Sequence, residues 1–230
     1  MSTIIETKNL TKKYGSFVAV DGVSFHLEKG QVLGVIGPNG SGKTTLFSML
    51  LGLRKKTSGE MRVFDQENLD GIRNKMGIIM DQGAFYNDFS AHKNLTISAM
   101  TKGVDLSRVT ELIDKVDLRQ AGKRTFNKFS YGMRKRLEIA DALLTDPELV
   151  IMDEPTNGLD PDGIRFIREL IFHLQEQGKT IMLSSHYLDE IEKVCTHFLM
   201  LRNGKVVFYG SKEEIKAQNL DLESIFSTKF

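Results

Sequence analysis

Gly37-Pro38-Asn39-Gly40-Ser41-Gly42-Lys43-Thr44-Thr45 is the stretch from which the rest of the chain is read. It matches G-x-x-x-x-G-K-[ST], the pattern of loops that wrap the phosphates of a nucleoside triphosphate. Before it, Val32-Leu33-Gly34-Val35-Ile36 is a continuous apolar run and reads as a buried strand. After it, Thr45 to Leu51 reads as a helix that ends by about residue 53. Glycines let successive backbone N–H groups turn inward as an anion nest, and the helix N-terminus adds partial positive charge. Gly37, Asn39, Gly40, Ser41, Gly42 and Thr45 are thus candidate phosphate contacts. Lys43 supplies a point charge for the β- and γ-phosphates, and Thr44 offers a hydroxyl to Mg²⁺.

Working outward, residues 1–30 alternate apolar with polar and predict antiparallel strands near 3–8 and 17–27. Met61 to Phe64 and Met76 to Met80 read as further strands. From 87 to 145 the pattern turns helical: Met133, Leu137, Ala140 and Leu144 share one helix face. Leu149-Val150-Ile151-Met152 returns to a buried strand. Asp160-Pro161 then signals an N-cap with proline in the first turn, and Gly178 a stop. Ile181 to Ser184 is the next strand. Asn203-Gly204 between apolar runs is a hairpin signal. Ser211 and Glu214 are spaced as the capping box of a terminal helix.

The expected fold is therefore α/β. It has a nucleotide-binding core of mostly parallel sheet with flanking helices, an antiparallel β subdomain, and an inserted α-helical subdomain. One domain of 1–230 is expected, with core and β subdomain in 1–86 and 146–230 and the helical part at about 87–145.

Composition sets bounds. The 230 residues carry a formal net charge of +1, so no overall field draws the chain to nucleic acid or anionic lipid. The single cysteine, Cys195, excludes an internal disulfide and fits a reducing compartment. No run approaches the roughly 18 apolar residues that span a bilayer, and the N-terminus lacks a signal-peptide pattern. The expected location is cytoplasmic, with membrane contact only through a partner.

The strand 149–152 delivers two acids, Asp153 and Glu154. A strand of bulky apolar residues ending in an acid is how nucleotide-hydrolysing loops hold Mg²⁺, so Asp153 is the metal partner. Adjacent strand residues face opposite sides, which leaves Glu154 to face an attacking water as general base.

Phe129-Ser130-Tyr131-Gly132-Met133 precedes the acid pair, Asn157-Gly158-Leu159-Asp160 follows it, and Ser185-His186 comes after the next strand. In order and spacing, across essentially the whole chain, this resembles the nucleotide-binding domain of ATP-binding cassette transporters. The resemblance implies that two such domains pair head to tail around two ATP molecules. Each ATP would touch Gly37 to Thr45 of one subunit and the Ser130-Gly132 turn of the other. His186 would lie near the γ-phosphate, Asp160 would reach the opposite site while capping its own helix, and Tyr14 would stack on adenine.

Three positions depart from the family pattern. The helix-start motif Leu-Ser-Gly-Gly-Gln reads Phe-Ser-Tyr-Gly-Met here, as in a branch exporting drugs, antimicrobial peptides or polysaccharides. The metal-contacting glutamine between core and helical part has two candidates. Gln82 fits by type; Asp81 fits by register counted back from Phe85-Tyr86, and is preferred. Lys93 stands where the family often has glutamate. Asp81 would place the chain near bacitracin exporters and lantibiotic immunity transporters. Many exporters of the nearest branch carry an additional C-terminal domain, so from the end at Phe230 the lantibiotic-immunity group is expected to be the better match. The resemblance implies an ATP-hydrolysing subunit that powers export through a separate transmembrane permease, docked on the cytoplasmic face of the membrane and dimerising with itself or a paralogue. The competing class, a soluble cassette ATPase on ribosomes or DNA, normally shows twin cassettes or long coiled coils. A non-catalytic regulator is disfavoured by intact Lys43, Asp153, Glu154 and His186.

Overall fold

The computed structural model describes residues 2–80, 84–218 and 221–229. Strands β1 (Thr3–Tyr14) and β2 (Phe17–Glu28) form an antiparallel pair, longer than the sequence pattern indicates. The alternation is broken near Asn9, which has φ of 50° and where the register shifts. A bulge of this kind inverts the apolar phase without ending the strand. β3 (Val32–Ile36) is wholly buried and leads through the phosphate loop into α1 (Lys43–Leu50), which begins two residues before the expected start. β4 (Ser58–Val63) pairs with the free side of β1, giving the order β2-β1-β4. It begins three residues earlier than expected, and Phe64, at φ 51°, lies outside it.

The second sheet has six strands. β5 (Met76–Ile79), β6 (Leu149–Met152), β7 (Thr180–Ser185), β8 (His197–Arg202) and β9 (Lys205–Ser211) join β3 in the order β5-β6-β7-β3-β8-β9. All neighbours are parallel except the β8–β9 hairpin at Asn203-Gly204. The period of two splits each central strand between two cores. Leu33, Val35, Leu149 and Ile151 meet Leu46, Phe47 and Leu50 of α1 beneath the antiparallel sheet. Val32, Ile36, Val150 and Met152 face the other helices. The core strand β3 therefore points its C-terminal end, and the loop after it, at the rim where ligands of open α/β sheets bind.

Between β5 and β6 lie α2 (Ala91–Lys102), α3 (Ser107–Lys115) and α4 (Tyr131–Ala142). Ser90 and Ser130 cap α2 and α4 through their side chains. Leu137 and Ala140 of the expected stripe are buried on α4, whereas Leu144 is buried beyond its C-cap. α5 (Pro161–Glu176) starts as expected, with Asp160 accepting from the Gly163 amide at 2.8 Å. Two helices lacked a clear signal. α6 (Leu188–Val194) has seven residues, and α8 (Leu222–Lys229) follows α7 (Lys212–Ala217). The Ser211–Glu214 capping box is present, but α7 is thus not the terminal helix. α6 lies directly on β3: a Cβ at Gly34 would sit 2.7 Å from Ile191 Cγ2 and 2.9 Å from Cys195 Sγ. Among the described residues no helix is long and apolar enough to cross a membrane.

Candidate active site

The loop from Gly37 to Gly42 folds under itself. Ser41 N–H donates to Pro38 O, and Gly204 N–H to Ser41 O, so the β8–β9 hairpin braces it. Gly42 adopts φ 106°, and a Cβ there would meet the Ala19 carbonyl at 2.4 Å; only glycine fits this step into α1. Pro38, Asn39, Gly40 and Thr44 stay exposed, while Ser41 and Lys43 are buried and Gly42 and Thr45 are half-buried. The Lys43 ammonium donates to Gly37 O at 2.7 Å and to Pro38 O at 3.4 Å, which curls the loop around its charge.

β6 ends at Met152, and the two acids lie just past it. Asp153 N–H still donates to Ile79 O. Glu154 then turns into the left-handed region, φ 48°, uncommon for a residue with a side chain. The carboxylates address different partners because of this turn, and not through the strand alternation the sequence suggested. Asp153 Oδ2 accepts from the Thr44 hydroxyl at 2.8 Å. Glu154 Oε1 lies 3.5 Å from Lys43 Nζ, and Oε2 lies 2.8 Å from His186 Nδ1. The His186 ring lies on Tyr187, 4.0 Å between centroids.

Ser184, on β7, holds the acid pair in place. Its hydroxyl donates to Asp153 Oδ1 at 2.5 Å and accepts from Glu154 N–H at 2.8 Å. In the sequence Ser184 ends the apolar strand run that leads to His186. A serine within an apolar strand gives no local sign that it serves a loop 30 residues away.

The donor set suits a magnesium nucleotide. Mg²⁺ is held by one or two hard oxygens plus phosphate and water, and the Thr44 and Asp153 oxygens stand together. Among the described residues no cluster of three or more His, Cys, Asp or Glu competes as a metal cage. The Ser41 hydroxyl is buried with no hydrogen-bond partner among the described residues, beside the loop amides.

Other expected site residues lie elsewhere. Ser130 and Gly132 line a cavity of about 170 Å³ together with Asp160, distinct from the one that Thr44 and Asp153 line. Tyr14 ends β1 and is partly exposed, with the Lys12 ammonium 5.0 Å and the Arg54 guanidinium 5.6 Å from its ring. Lys93 lies in the first turn of α2 with its ammonium over Phe89. Asp81 and Gln82 fall outside the described residues.

A family model described as ABC transporter matches residues 20–157. The chain belongs to the ABC transporter family. The bacitracin transport ATP-binding protein BcrA of Bacillus licheniformis is 42% identical over 224 residues, 95% of this chain and 73% of BcrA. The lantibiotic transport ATP-binding protein SrtF of Streptococcus pyogenes is 38% identical over 218 residues, 95% and 94% of the two chains. A solved ATP-binding subunit of an ABC transporter superposes with a TM-score of 0.89 at 27% identity, covering 99% of each chain. A dimeric bacterial ABC cassette gives 0.82 at 26% identity, over 90% of this chain and 98% of that one. This ABC transporter chain is accordingly an ATP-binding subunit and an ATPase whose hydrolysis of ATP powers transport.

Proposed function

We propose that hydrolysis is performed by Glu154 as general base, with Lys43 and His186 at its two oxygens. The contact chain Lys43–Glu154–His186, beside Thr44–Asp153–Ser184, carries this reading. Gly37, Asn39, Gly40, Ser41, Gly42 and Thr45 would cradle the triphosphate, and Tyr14 would stack on adenine. Thr44 and Asp153 would hold Mg²⁺, joined by Asp81 or Gln82. The metal, when bound, supplies charge neutralisation at the phosphates. Glu154 takes a proton from water. His186 fixes the orientation of that carboxylate, and Lys43 stabilises charge on the phosphoryl oxygens.

Ser130, Gly132 and Asp160 complete the site from a second copy or a paralogue. Supporting this, they line a cavity apart from the phosphate loop, and the α4 N-terminus presents amides suited to phosphate. We divide the chain into a core with β subdomain, 1–86 and 146–230, and a helical subdomain at about 87–145. The named relatives handle bacitracin and lantibiotics, so the cargo proposed is a peptide antibiotic or similar drug. It is exported through a separate transmembrane permease, with this subunit on the cytoplasmic face. A ribosome- or DNA-directed role is not favoured by these relatives.

Glu154→Gln tests the assignment. Hydrolysis falls by roughly 10²–10⁴-fold while ATP still binds, and ATP yields a stable dimer in light scattering. Turnover at the parent rate overturns the base assignment; a monomer at saturating ATP overturns the pairing.

A further inference from the structure

Tyr131 stands where the family motif has glycine, directly after the Ser130 N-cap and in the first turn of α4. Its ring lies over Gly158. A Cβ built on Gly158 would be 3.2 Å from Tyr131 Cε1, 3.5 Å from Cζ and 3.7 Å from Cδ1. Gly158 has φ of +74°, so the loop both needs glycine for its turn and leaves the space the ring fills. On α4 itself, the buried Lys135 places its ammonium 6.0 Å from the ring centroid, the outer range of a cation–π contact.

Gly158 belongs to a short loop tied to the acid pair. Asn157 N–H donates to Glu154 O at 3.1 Å, and Leu159 N–H to Thr156 O at 3.3 Å. At its far end Asp160 caps α5. Tyr131 therefore bridges, inside one subunit, the helix tip carrying Ser130 and the loop that begins at Glu154.

We propose that Tyr131 is a positioning residue that couples the two ATP sites of the dimer by clamping the Ser130 tip to the Gly158 loop. This rests on the head-to-tail pairing proposed above. In that pairing, the Glu154 of a subunit serves its own nucleotide and Ser130 serves its partner's. A ring locking the two segments makes closure at one site set the geometry of the other. A glycine at 131 removes this ring contact between the two segments. The contact with Gly158 is made by ring carbons, so phenylalanine preserves that contact and alanine abolishes it. Tyr131 is partly exposed at a helix start, so truncation spares the core.

The test uses the full chain with Tyr131→Ala, Tyr131→Phe, and each combined with Glu154→Gln. Three quantities are read: ATP binding in dilute protein, ATPase rate against ATP concentration, and dimer formation by light scattering. For Tyr131→Ala, kcat falls about tenfold, a change of about 1.4 kcal/mol in the barrier. The Hill coefficient drops from near two towards one, two being the limit for about two coupled sites. ATP binding stays within about twofold, since the phosphate loop is untouched. Tyr131→Phe retains more of the parent kcat and Hill coefficient than Tyr131→Ala does. The proposal is overturned if Tyr131→Ala keeps the parent kcat and Hill coefficient. It is also overturned if phenylalanine does as much harm as alanine, or if ATP binding weakens as much as kcat falls. A Glu154→Gln chain that stays monomeric with ATP removes the pairing itself. A Glu154→Gln chain that dimerises, alongside an unaltered Tyr131→Ala, removes only the clamp.

Discussion

Ser184→Ala probes the wiring of the acid pair. Ser184 is fully buried and joins both acids, as donor to the Asp153 carboxylate and acceptor from the Glu154 amide. A hydrogen bond to a charged group contributes about 1.5–3 kcal/mol, and an amide left without an acceptor costs about 1 kcal/mol or more. The expected loss of stability is therefore about 3 kcal/mol. At this chain length 1 kcal/mol moves Tm by about 2–4 °C, so melting should fall by roughly 6–12 °C. Function changes in a separate way. Asp153 would lose one of the two hydroxyls that aim it, and removing an outer partner of a metal ligand typically weakens metal affinity about 10–100-fold. The assay is ATPase rate against Mg²⁺ at saturating ATP, beside thermal unfolding. Half-maximal Mg²⁺ should rise at least tenfold, by roughly the outer-partner estimate. A variant that melts with the parent and needs no more Mg²⁺ refutes the argument.

Lys43→Ala should abolish tight ATP binding, measured by titration with a fluorescent analogue, because the buried ammonium both curls the loop and faces Glu154; unchanged affinity would refute its phosphate role. His197 contributes a pH-dependent part of stability. Burial lowers its pKa beneath the ordinary 6.5, with His26 adding to this and Glu213, Glu214 and Glu28 opposing it. The unfolded chain thus binds more protons near pH 6.5, so this contribution is full above that pH and is lost as pH falls through and below it. His197→Gln should flatten that limb of the urea-unfolding profile, and an unchanged limb contradicts the assignment. Burial pushes the Cys195 thiol far above its usual pKa, so it should react with thiol reagents only as the protein unfolds; prompt labelling of native protein would refute this.

How much was legible depended on how local the signal was. The phosphate loop, the apolar strands and the caps at Asp160 and Ser211 declare themselves within a few neighbours, so they could be read directly. β1 could not be followed past residue 8, because the bulge near Asn9 reverses the alternation. α6 is too short for a helical period to show, and it follows His186 after a single residue. The charged residues around the loop were nameable from their motifs, but their wiring was not. Glu154 lies in the left-handed region with its amide donating to Ser184, a contact between loop and strand that no local pattern announces. Tyr131 departs visibly from the family pattern, yet its meeting with Gly158 depends on how α4 packs beside that loop.

The absent side chain at position 34 has a consequence for how such chains can diverge. With Ile191 and Cys195 seated in that gap, even a methyl group would lever the helix after His186 off the strand that feeds the phosphate loop. Drift at 34 is therefore barred unless 191 and 195 both shrink first. The three positions should change as a set, and a Gly34→Ala chain should regain activity fully only when Ile191→Ala and Cys195→Ala both accompany it.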